Sequence, residues 1–99
     1  MIVSAWHNGS GTYGISVGKP NRQAYFEESW DHVWVMIEGK DHRFELTSGF
    51  WRKCPEFRDK GGTVIQDWLR KYKVLTWLKW KNPKATLTKL EGNKFQLEP

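Results

Sequence analysis

A chain of 99 residues with a single cysteine, seven tryptophans and a net charge of +5 is long enough to bury a core without staples and calls for no second domain. The lone Cys54 excludes an internal disulfide and any zinc site built on paired cysteines, which favours a reducing compartment. The amino end lacks the basic and apolar pattern of a leader, and no stretch approaches the ~18 apolar residues of a membrane helix, so a cytoplasmic protein without a membrane partner is expected.

Ile2, Val3, Ala5 and Trp6 predict a short strand ending in the turn signal His7-Asn8-Gly9-Ser10-Gly11-Thr12. Beyond it Tyr13, Ile15 and Val17 alternate with small residues, so the two segments form a hairpin. Gly18-Lys19-Pro20-Asn21 breaks the second strand, and one or two helical turns are expected over residues 22–28. Residues 31–38 are apolar on both faces, Val33, Val35 and Ile37 on one and Trp34 and Met36 on the other. That pattern predicts a central strand covered on both sides. Glu38-Gly39-Lys40-Asp41 turns it into residues 43–46, a second hairpin.

Thr47 or Ser48 is placed to cap a helix whose buried stripe is Phe50, Trp51, Cys54 and Phe57. Pro55 stops that helix near Cys54 and suits the first turn of a restart. After the break at Lys60-Gly61-Gly62, Thr63 caps a helix through about residue 73. Val64, Ile65, Trp68, Leu69 and Tyr72 share one face, and Arg70, Lys71 and Lys73 lie at the end where the dipole favours cations. The β-branched and aromatic residues of 74–81 predict an extended segment, with a tight turn as the alternative. Asn82-Pro83 stops it, and residues 86–90 and 94–97, joined across Glu91-Gly92-Asn93, make a third hairpin. The order predicts an α+β fold in a single compact domain over residues 1–99. Three antiparallel hairpins form a twisted sheet or partly open barrel, with two or three short helices packed on it.

Several patterns bear on chemistry. Gly9-Ser10-Gly11-Thr12-Tyr13-Gly14 matches a dinucleotide fingerprint in letters, but Ile15-Ser16-Val17 continues as a strand where a phosphate-binding loop needs a helix. A flexible hairpin tip is the better reading. His32 beside Asp31, and His42 near the following turn, are the residues around which a small hydrolase or nuclease would be built if the hairpin brought them together. Glu27, Glu28 and Asp31 fit a solvated turn, and Cys54 a small buried hydrophobe. No cofactor or metal is expected.

The charge is unevenly placed. Residues 70–94 hold eight Lys or Arg against the single acid Glu91, a local balance of +7, and the remaining 74 residues sum to −2. Folded onto one surface, Arg70, Lys71, Lys73, Lys79, Lys81 and Lys84 would meet phosphates while Trp77 or Trp80 stacks on a base. The expected function is therefore a small basic, non-enzymatic DNA- or RNA-binding module. The alternative is a protein-interaction or inhibitor module whose aromatic patch and basic strip meet an acidic partner.

Overall fold

The computed structural model describes residues 1–99. In chain order it holds β1 (Ile2–His7), β2 (Tyr13–Ser16), α1 (Lys19–Tyr25), β3 (His32–Ile37), β4 (Lys40–Glu45), α2 (Ser48–Arg52), β5 (Glu56–Arg58), α3 (Val64–Tyr72), β6 (Lys84–Lys89) and β7 (Lys94–Glu98). All seven strands join one sheet, ordered β4-β3-β7-β6-β1-β2-β5. The three expected hairpins are present, each antiparallel: β1 with β2, β3 with β4, and β6 with β7. Antiparallel β1–β6 and parallel β3–β7 ladders join them, the latter setting Val35 opposite Phe95 and Ile37 opposite Leu97.

Alternation along the strands sends Val3, Ala5, Ile15, Val33, Val35, Phe44, Leu87 and Phe95 to one side, where they form the core. The sheet curls around them into a nearly closed barrel whose two free edges, β4 and β5, approach without a ladder between them. Beneath that seam Phe44 and Phe57 meet at 5.1 Å between ring centroids.

Helices plug the two ends. At one end α1 is tied to α2 by Arg22 Nη1 donating to the Phe50 carbonyl (2.9 Å), and Phe26 stacks on Phe95 at 4.7 Å with Phe50 beside it. At the other end α3 buries Ile65, Trp68 and Leu69. Asp59, directly after β5, caps α3 from outside by accepting from Ile65 N (2.8 Å) and Gln66 N (3.0 Å). Thr63 holds the cap position but its hydroxyl donates to Asp67 instead.

Four expectations are corrected. Residues 74–81 form a loop closed by a turn at Leu78–Lys81, the alternative reading, rather than a strand, because both edges of their neighbour β1 are already taken by β2 and β6. Residues 56–58 are a strand rather than a restarted helix. The edge of β2 was open, and Val17 N donates to the Pro55 carbonyl (2.9 Å) while Asn21 Nδ2 gives the Val17 carbonyl the donor that proline lacks (2.9 Å). Because α2 ends at Arg52, Cys54 leaves the helical stripe and is exposed. The second face of β3 carries no covering layer, which leaves Trp34 exposed and Met36 half-buried.

Candidate functional site

Register decides which late cations share an end of the barrel. Ile37 pairs with Leu97, Thr86 with Glu98, and Ser4 with Lys84, so the β3–β4 turn, the end of β7, the start of β6 and the end of β1 lie along one rim. Three strand spacings separate β3 from β1 on that rim, ~14 Å. Lys71 at the end of α3 reaches the rim at Glu38, Lys73 donates to the Pro99 carbonyl (3.2 Å), and Lys84 donates to Ser4 Oγ (2.7 Å). Arg70 pairs with Asp67 on the same helix (3.1 Å). Lys79 and Lys81 follow in the loop that descends to β1, where Asn82 Nδ2 donates to the Ala5 carbonyl and Ala5 N to the Pro83 carbonyl, both at 2.8 Å.

The acids along this arc are mostly occupied. Glu38 accepts from Lys71 and from the Tyr72 hydroxyl (3.0 Å), which holds its carboxyl below the usual range and raises the Lys71 ammonium above its own. Asp59 is spent on the α3 amides, and burial nevertheless pushes its carboxyl up. Glu98 is the exception. Lys79, Lys81 and Lys84 have no carboxylate partner.

The loop treats its two tryptophans differently. The Tyr13 hydroxyl donates to the Leu75 carbonyl (3.0 Å), and Trp77 packs half-buried against the His7 ring at 4.7 Å and the Tyr13 ring at 6.4 Å. The next residues stand away from the body. Leu78 is 78% exposed and Trp80 is 85% exposed. Lys81 N donates to the Leu78 carbonyl (2.9 Å), closing a turn with Trp80 in its third position at φ 70°, a place glycine takes in type II turns. Lys79 Nζ sits 5.4 Å from the Trp80 ring centroid. A bulky side chain held at positive φ on an exposed turn is strained, and nothing buried repays that strain.

No family model, curated protein or solved structure matches the chain. The geometry of the rim and loop therefore carries the functional reading.

Lys89 and Lys94 do not join this arc. Lys89 donates to the Gly92 carbonyl at the opposite end, and Lys94 pairs with Asp41 on the outer face of the sheet (3.1 Å). His32 and His42 are separated as well. They sit three rungs apart in the β3–β4 ladder, opposite Glu45 and Val35 respectively, and therefore on opposite faces of the sheet. The Gly9–Gly14 segment is a hairpin tip whose amides are used internally. Asn8 Oδ1 accepts from Ser10 N and Thr12 N, and His7 Nδ1 from Gly9 N. Gly14 serves packing, since a Cβ there would lie 2.4 Å from the Phe57 carbonyl oxygen.

Sequence reasoning missed Glu56, Arg58 and Trp6. Arg58 Cζ lies 4.7 Å over the Trp6 ring, and Glu56, which pairs with Arg58, has its second carboxylate oxygen buried without a partner. Reading residues 56–58 as a strand would have placed Glu56 and Arg58 on one face.

Proposed function

We propose that the chain is a small non-enzymatic module that binds single-stranded nucleic acid through the rim and loop formed by Arg70, Lys71, Lys73, Trp77, Lys79, Trp80, Lys81 and Lys84. The observation that carries this reading is Trp80, 85% exposed, held at φ 70° on a turn and flanked by two lysines without acid partners. An indole presented in this way offers a π-face to any base, while the neighbouring ammonium groups supply a sequence-independent attraction to phosphate. Within the site the roles divide: Trp80 stacks, Trp77 holds the loop to the barrel, and Lys73, Lys79, Lys81 and Lys84 meet phosphates. Arg70 and Lys71 add charge already balanced by Asp67 and Glu38. A reducing, cytoplasmic setting suits the exposed thiol of Cys54, and no helix is long and apolar enough to cross a membrane.

The test is titration of the intact chain with oligo-dT and oligo-U, followed by tryptophan fluorescence at low salt. Binding that weakens about 10- to 100-fold in Trp80→Ala supports the reading. Absence of binding to both oligomers, or equal affinity in the variant, overturns it.

Leu78 favours a second reading. An aliphatic side chain 78% exposed beside Trp80 contributes nothing to base stacking, but it suits an apolar pocket rimmed by acids on a partner protein. A partner captured from nuclease-treated lysate by the native chain, and lost with Leu78→Ala, would favour this alternative.

A further inference from the structure

The seam between β4 and β5 has features that the rim and loop leave unexplained. Trp34 N donates to the Asn93 carbonyl on the β7 side, so Arg43, opposite Trp34, turns its main-chain groups away from β3 and toward the seam. On the other strand, Asp59 N donates to the Tyr13 carbonyl and Pro55 accepts from Val17, so the main-chain groups of Arg58 face the seam from its far side. Between these edges lies an open cleft of about 590 Å³, lined by Phe44 and Phe57 among others. Glu56 lies in its wall with a side chain only 8% exposed. Its Oε1 is 3.2 Å from Arg58 Nη2, whereas Oε2 is buried and has no hydrogen-bond partner. A buried acceptor left without a donor is costly, and here burial pushes the Glu56 carboxyl up.

The charges of the lining cancel. Arg43 pairs with Glu45 (3.2 Å) and Arg58 with Glu56, while Lys60 is formally matched by Asp59. A cleft with no net charge, unladdered main-chain donors and acceptors, and one orphaned carboxylate oxygen selects for an uncharged ligand.

We propose that the β4–β5 seam is a second binding site, which takes an uncharged planar ring carrying an N–H beside a carbonyl, a cyclic amide or ureide. The ring N–H donates to Glu56 Oε2, reached when the side chains that cover it part, while Arg58 stays paired with Oε1 and over the Trp6 ring. The ligand carbonyl accepts from Arg43, and Phe44 and Phe57 close the floor beneath the seam as buried core side chains. The same chemistry occurs in a free small molecule and in a base carried by a strand, and the site stands whether or not Trp80 binds nucleic acid.

The experiment is a ¹H–¹⁵N NMR titration of the intact chain with uracil, using benzoate and benzamidinium as anionic and cationic controls of similar size. Uracil is expected to shift the amides of Arg43, Glu45 and Arg58 saturably, with a dissociation constant of about 1–10 mM as befits a fragment, and to do so more strongly than either control. Glu56→Leu is expected to weaken binding at least about tenfold. Arg43→Ala, on an exposed side chain that leaves the core intact, is expected to weaken it about threefold, which keeps the test open if the Glu56 variant does not fold. A parallel arm with oligo-U in the native chain and in Trp80→Ala separates the sources. Seam shifts that need Trp80 identify a base on a strand, and seam shifts from uracil that survive Trp80→Ala identify a free ligand. Either result supports the site. No saturable shift at the seam with uracil, or equal shifts with benzoate, overturns it.

Discussion

The Tyr13 hydroxyl, at the start of β2, donates a 3.0 Å hydrogen bond to the carbonyl of Leu75, 62 residues away in the loop that follows α3. This bond joins the tip of the first hairpin to the candidate interface and lets Trp77 pack against His7 while Trp80 projects. Tyr13→Phe removes one part-buried hydrogen bond and is expected to cost about 1 kcal/mol, lowering the melting temperature by about 4–8 °C in a thermal scan. Oligonucleotide affinity should fall with it, because the loop then samples more conformations.

Trp80 and Trp77 should behave in opposite ways. Trp80→Gly removes an exposed indole and relieves a positive φ, so it is expected to raise stability by up to about 1 kcal/mol in chemical denaturation while removing the stacking surface. Trp77→Ala removes packing against His7 and Tyr13 and is expected to lower stability by about 2–3 kcal/mol. Equal losses of stability in both variants would contradict the distinction drawn between them.

Salt dependence reads the number of lysines engaged. If Lys73, Lys79, Lys81 and Lys84 each meet a phosphate of a single strand, log affinity should fall against log salt with a slope of about −3. Lys79→Ala and Lys81→Ala should each shorten that slope by about 0.7 without changing preference among sequences.

Gly14 tests the close approach of β2 to β5. A Cβ at this position would lie 2.4 Å from the Phe57 carbonyl oxygen, too near without moving the strand. Gly14→Ala is expected to destabilise the chain by about 2–4 kcal/mol in denaturant melts.

Stability should depend on pH through Glu56. Its folded-state carboxyl titrates above the ordinary value of 4.5, chiefly because of burial, so the folded state holds that proton more tightly than the unfolded chain. The resulting stabilisation is fully present below pH 4.5 and is lost as pH rises through the raised folded value. Asp59, also raised by burial, acts in the same direction. Asp31 and Glu38 are lowered, by His32 and by Lys71 respectively, and favour the folded state above their ordinary values. Glu56→Gln isolates the first effect. The variant should gain on the native chain as pH rises from 4 to 7, reaching an advantage of about 1 kcal/mol at neutrality by denaturant melts at each pH.

Much of the fold is legible along the chain because the signals are local. Apolar runs in residues 2–6 and 33–37 and alternation in 86–90 and 94–97 mark strands, and Asn8-Gly9, Glu38-Gly39 and Gly92-Asn93 mark the turns between them. Helix α3 is legible from the spacing of Ile65, Trp68 and Leu69. Residues 56–58 were misread because Pro55 carries the same local signal whether it opens a helix or lies against an edge strand. The choice depended on an unpaired β2, 40 residues earlier. Residues 74–81 were misread for the converse reason: they have strand propensity but no free edge to join.

The candidate site divides in the same way. Composition alone concentrated the cations in residues 70–94 and set two tryptophans among them. Only the tertiary structure separated Lys89 and Lys94 from the rest, packed Trp77, exposed Trp80, and left a Glu56 oxygen on β5 buried without a partner. Local propensity and net charge are properties of neighbouring residues and can be read in order. Strand order, burial and the partner of a side chain depend on contacts between segments far apart in the chain, and those exist only once the sheet has closed.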